Sequence, residues 1–248
     1  MPKHDRPKKQ TPYLKSVSER HGGDGKNWHP LETAIDQDRD KSFVKRIKPR
    51  SEGQARLQEA INTHALTLAV GPAGSGKTYL AISAAVEALE AGKVERIVLS
   101  RPAMEAGESL GYLPGDMQEK MAPYLRPLYD ALGDRMGGKR VRQYLDDGTI
   151  EIAPIGFMRG RTLNNAFVVI DEAQNCTYAQ LKMLVSRLGW HATMVITGDP
   201  HQSDLLDGMS GLADVARRFE AIPRIAVVQL NQGDIVRHPL VAEMLDVL

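Results

Sequence analysis

The stretch GPAGSGKT (71–78) constrains this chain more than any other part of it. It satisfies the pattern G-x-x-x-x-G-K-[ST]. It also stands between a short apolar run, HALTLAV (64–70), and a helical pattern, KTYLAISAAVEALEAG, that Gly92 stops. A strand that enters a glycine-rich loop and then a helix N-terminus forms a phosphate cradle. Glycines let the backbone curl with its amides inward, and the helix adds the positive end of its dipole. Gly71, Pro72, Ala73, Gly74, Ser75 and Gly76 make the cradle. Lys77 is placed to reach the β- and γ-phosphates of a nucleotide, and Thr78 to hold Mg²⁺ through its hydroxyl.

The rest of the chain repeats the alternation. VERIVLS (94–100), GTIEIAPI, NAFVVID (165–171), HATMVITGD and IAVVQL read as strands. SEGQARLQEAI, TYAQLKMLVSRLG, GLADVARRFE and PLVAEMLDVL read as helices, the last starting at Pro239. Strands alternating with helices predict an α/β fold with a mostly parallel central sheet flanked by helices. There is one such unit, over 49–248. A long helical insertion (102–148) interrupts it, with a capping-box spacing at Asp116 and Glu119. Pro123 and Pro127 are expected to break or kink that helix. The insertion is a candidate for subunit contacts or a pore-facing loop.

Residues 1–48 lack sustained periodicity and read as an extended or disordered arm, with Trp28 able to anchor it or to stack on a base. Residues 1–50 carry 13 Lys+Arg and 7 Asp+Glu, a balance of +6 against −5 for the remainder. Such an arm suits an anionic polymer or simply a solvated tail. No apolar run approaches the ~20 residues of a membrane span, and the N-terminus lacks the apolar core of a signal peptide. The one cysteine, Cys176, permits no intrachain disulfide, in keeping with a reducing compartment, so a cytoplasmic location is expected.

VVIDEAQ (168–174) carries the second half of the chemistry. Asp171 emerges at a strand's C-terminal end, where parallel sheets bind ligands, and is placed just outside the ligands of Mg²⁺. Glu172 follows at once and can take a proton from attacking water, which favours hydrolysis over transfer to a small molecule. In VITGDPHQ (195–202), Gln202 can hydrogen-bond the γ-phosphate or the water. A cation is also needed on the developing charge; Arg237 in DIVRHP is the leading candidate, with Arg101, Arg159 and Arg161 as alternatives. A P-loop kinase and a non-catalytic nucleotide-gated scaffold remain the competing functions.

GPAGSGKTYLA, SRPAMEAGESLGYLPGDMQEKMAPYLRPLYDAL, IEIAPIGFMRGRTLNNAFVVIDEAQN, TGDPHQSDL and DIVRHPLV occur here in the order seen in PhoH-like proteins. The resemblance spans roughly residues 49–248. It implies a RecA-like P-loop domain related to superfamily 1 helicases, with ATPase activity that uses ATP and Mg²⁺. It further implies roles on RNA and a homo-oligomeric, hexameric ring. By position, Gln54 resembles the adenine-contacting glutamine, Lys77 and Thr78 the Walker A site, and Asp171 and Glu172 the Walker B site. Gln202 resembles the γ-phosphate sensor and Arg237 the arginine of helicase motif VI. Residues 1–48 are too short for the PIN nuclease domain of some members, and the folded N-terminal domain of many others is missing, so a minimal form is expected.

Overall fold

The structure is a computed structural model that describes residues 47–102, 117–206 and 208–236. The arm with Trp28, Asp116, Arg237 and the helix expected from Pro239 lie outside these residues.

Helix α1 (Glu52–Thr63) starts where the Ser51 side chain accepts from Gln54 N at 3.1 Å, which satisfies an otherwise unpaired amide of the first turn. It buries Leu57, Ala60 and Ile61. Strand β1 (Leu66–Val70) leads through the glycine loop into α2 (Lys77–Glu90). Then come β2 (Arg96–Arg101), α3 (Met117–Met136), α4 (Gly138–Asp146), β3 (Ile150–Pro154) and β4 (Ala166–Ile170). After them follow α5 (Tyr178–Val185), β5 (Thr193–Gly198), α6 (Leu212–Phe219) and β6 (Ile225–Gln229).

The six strands form one parallel sheet in the order β3-β2-β4-β5-β1-β6. Strands β1 and β4 are buried at every position, because successive side chains enter two different cores. Ala69, Leu99, Phe167, Val169 and Val195 pack with Leu57, Ala81, Leu128 and Leu132 of α1, α2 and α3 on one face. Leu68, Val98, Val168, Ile170 and Ile196 pack with Leu181, Leu184, Leu212 and Val215 of α5 and α6 on the other. Three layers therefore explain why these strands read as unbroken apolar runs. Among the described residues, no helix is long and apolar enough to cross a membrane.

Helix α3 corrects part of one expectation: it runs without a break through Pro123 and Pro127. Each proline removes one backbone donor and costs about 3 kcal/mol in a helix interior. Against that, Leu125, Leu128 and Leu132 are buried, each contributing about 1.5–3 kcal/mol. Burial against α2 holds the helix together where local propensity would end it. Helices α3 and α4 thus form the crossover from β2 to β3 and close one face of the core.

Leu128→Ala is expected to cost about 2–5 kcal/mol. Denaturant unfolding should show it as a lower midpoint at unchanged slope; a loss under about 0.5 kcal/mol would mean α3 is not part of the core.

Candidate nucleotide site

The C-terminal ends of β1, β4 and β5 converge on a cleft of about 290 Å³. Its walls include Ala73, Gly74, Gly76, Lys77 and Thr78 from the loop and α2, Asp171 and Glu172 after β4, and Asp199 and Gln202 after β5. Because β5 lies between β4 and β1, the ends of all three strands come together although they are far apart in sequence.

Gly76 caps α2 in the left-handed conformation (φ 87°, ψ 10°), and a Cβ there would lie 3.1 Å from Gln54 Nε2. Both requirements select glycine. Gln54 uses both ends of its amide locally: Nε2 donates to Ser75 O at 3.1 Å, and Oε1 accepts from Arg50 N at 2.9 Å. It therefore braces the glycine loop from α1. Ser75 is fully buried, and its hydroxyl donates to Pro72 O at 2.8 Å. Lys77 Nζ donates to Gly71 O at 2.7 Å and to Pro72 O at 2.8 Å. Burial lowers the pKa of this ammonium below its ordinary value, while the carboxylates of Asp199, Glu172 and Asp171 oppose the shift.

Asp171 is 2% exposed and is the node of the site. Its Oδ1 accepts from Thr78 Oγ1 and from Thr197 Oγ1, both at 2.6 Å. Its Oδ2 lies 3.6 Å from Arg101 Nη1. Since Thr78 gives its proton to Asp171, the lone pairs of its hydroxyl are left for a cation. This oxygen-rich corner fits a hard divalent ion that keeps several waters and is bound partly through phosphate. Thr78, with Asp171 beside it, would hold that ion.

Glu172 adopts a left-handed backbone (φ 54°, ψ 40°), costly for a non-glycine residue and typical of functional sites. Its Oε1 pairs with Arg101 Nη2 at 3.1 Å, and its Oε2 accepts from Gln174 Nε2. Of the alternative arginines, Arg101 thus reaches both carboxylates. Arg161 is committed to Glu151 on β3, at 2.5 and 2.6 Å, which raises its pKa. Arg159 is exposed on the turn after β3.

The sequence places Thr197 and Asp199 at a strand end that repeats the geometry of Asp171 but assigns them no specific role, and it gives Gln174 none. Asp199 and Gln174 line the cleft, and Thr197 bonds to Asp171 behind it. Their shared signal was available: polar residues at or directly after the ends of two adjacent buried strands. Cys176 is fully buried, and burial pushes its thiol up to about 12.

A phosphate loop on β1, an Asp-Glu pair after β4 and a strand between them define the P-loop NTPase fold with a RecA-like sheet. The chain belongs to the PhoH-like protein family, whose model matches residues 46–248. The PhoH-like protein of Bacillus subtilis is 51% identical over 203 residues, 82% of this chain and 64% of that protein. Protein PhoH of Escherichia coli is 44% identical over 210 residues, 84% of this chain and 59% of that protein. The match to this chain therefore spans only about three fifths of these relatives. Among solved structures, the large terminase of a thermophilic bacteriophage aligns over 80% of this chain and 50% of its own, at 11% identity and a TM-score of 0.48.

Cys176 should resist thiol reagents in the native protein at pH 8 and react fully once unfolded. The folded thiol stays neutral to about 12, while an unfolded one ionises near 9.0. Its contribution to stability is thus present below pH 9 and lost as pH rises toward 12. Rapid labelling at pH 8 without unfolding would contradict the buried placement.

Proposed function

We propose that this chain binds ATP with Mg²⁺ and hydrolyses it in the cleft, and that hydrolysis is coupled to single-stranded RNA. The observation that carries the hydrolysis reading is the pairing of Thr78 with Asp171 at 2.6 Å, with Glu172 one residue beyond on the cleft wall. The glycine loop and Lys77 bind the phosphates. Mg²⁺ beside Thr78 and Asp171 would neutralise charge on the β- and γ-oxygens. Glu172 takes the proton from the attacking water, a role worth about 10²–10⁴-fold. Gln202 orients that water or the γ-phosphate.

Two arginines compete to meet the charge of the transferred group, a role worth about 10³–10⁵. Arg101 already stands beside Glu172. Arg237 follows Val236, whose N donates to Gly74 O at 3.1 Å. Arg237 reaching into a neighbouring subunit's site would make a homo-oligomeric ring, hexameric by resemblance, the active form. The RNA reading rests on the resemblance and on the +6 balance of residues 1–50. A P-loop kinase would need an acceptor, and a nucleotide-gated scaffold would be indifferent to Glu172.

Lys77→Ala should abolish turnover, and chelating Mg²⁺ should do the same to the unmodified protein. Glu172→Gln should lower phosphate release by about 10²–10⁴-fold while ATP stays bound. Release of phosphate without any acceptor, stimulated by single-stranded RNA, supports the reading; wild-type rates in Glu172→Gln would sink it.

Arg237→Ala subunits mixed with Glu172→Gln subunits should recover activity if the arginine acts across an interface. No recovery in a verified mixed assembly would rule out Arg237 acting across an interface and leave an arginine of the same chain, which Arg101→Ala and Arg237→Ala measured separately would tell apart.

A further inference from the structure

The 3₁₀ turn after β4 (Ala173–Asn175) and the loop after β5 are joined by a set of side-chain bonds that phosphate binding does not require. Gln174 Oε1 accepts from Asp199 N at 3.0 Å. Ser203 Oγ donates to Gln174 O at 3.0 Å. Asn175 and Asp204 exchange two bonds, with Asn175 Nδ2 donating to Asp204 Oδ2 at 2.9 Å and Asp204 N donating to Asn175 Oδ1 at 2.8 Å. Gln202 N donates to Asp199 O at 3.1 Å. Gln202 therefore sits on a loop pinned on both sides to residues 174 and 175.

Gln174 itself is 3% exposed, and both ends of its amide are used. The Oε1 end holds Asp199, and the Nε2 end holds the Glu172 carboxylate. A Cβ on Gly198 would lie 2.8 Å from Gln174 Oε1 and 2.6 Å from Leu212 Cδ2. Glycine at that position leaves room for the amide to lie against β5. Glu172 cannot choose its own position freely, because its backbone is left-handed and its carboxylate is gripped at both oxygens.

From these contacts we infer that Gln174 is a positioning residue: it sets the Glu172 carboxylate and makes that setting depend on the loop that carries Gln202. A buried amide is suited to this task. It cannot ionise, it offers one donor and one acceptor in a fixed geometry, and leaving either end unpaired is expensive. Movement of the loop that pulls Asp199 N therefore moves the base. Contact between Gln202 and the γ-phosphate would be felt at Glu172 without direct contact between the two. This inference rests on the hydrolysis reading, in which Glu172 is the base.

The test uses the full chain and reads ATP turnover, affinity for a non-hydrolysable ATP analogue, and Tm. Gln174→Glu keeps an acceptor for Asp199 N but replaces the donor to Glu172 by a repelling oxygen. Gln174→Met keeps size and removes both bonds, which covers the case in which the charged variant fails to fold. Either variant should lose about 10²-fold in kcat, with analogue affinity within about twofold of the unmodified protein. Gln202→Ala should then add less than about twofold in the Gln174 background, because the link is already cut. Unchanged kcat would overturn the inference. So would a loss of analogue affinity matching the loss of kcat, or fully multiplicative losses in the double variant. Glu172→Gln, measured alongside, separates the two levels. If it too retains turnover, the hydrolysis reading has failed; if it is dead while both Gln174 variants are fully active, only the link has failed.

Discussion

Two hydroxyls donate to one buried carboxylate oxygen, and the rest of the site is arranged around that contact. Asp171 Oδ1 ties Thr78 of α2 and Thr197 of β5 to the end of β4, each at 2.6 Å. A carboxylate 2% exposed is tolerable only when hydrogen-bonded and near positive charge. Here the two threonines and Arg101 supply that. The same bonds set the distance between phosphate loop and acidic pair, so one contact both stabilises the charge and aligns the chemistry.

The sheet order makes this contact possible. With β5 between β4 and β1, Thr197 stands beside Asp171, and the loop after β5 opens onto the same cleft as the glycine loop. Buried cores on both faces hold the strands in register, so the polar residues at their ends inherit a rigid base. Glu172 is the exception. Its left-handed backbone stores strain that Arg101 and Gln174 hold in place from two different strand ends.

Much of this was legible beforehand because its signals are local. Gly71 to Thr78 announce a phosphate loop through spacing and context, and apolar runs of five or six residues announce strands buried on both faces. Pro123 and Pro127 mislead, because the burial that outweighs them comes from α2, about forty residues earlier. Gln54 matches a nucleotide-contacting pattern; that its amide also braces Ser75 and Arg50 is visible only in the fold. Gln174 stood in plain view beside the acidic pair, but its importance depends on Asp199 lying opposite, which no spacing encodes.

By itself the sequence determined the α/β alternation, the phosphate loop, the acidic pair and the family. Each is set by residue types at short, regular separations, where backbone geometry leaves few choices. Only the tertiary structure decided that Thr197 shares Asp171 with Thr78, that Arg101 reaches both carboxylates, and that Gln174 joins Glu172 to the loop of Gln202. These contacts join strand ends that are neighbours through the order β2-β4-β5-β1. That order arises from packing the whole sheet between two helical layers, so no local pattern can state it.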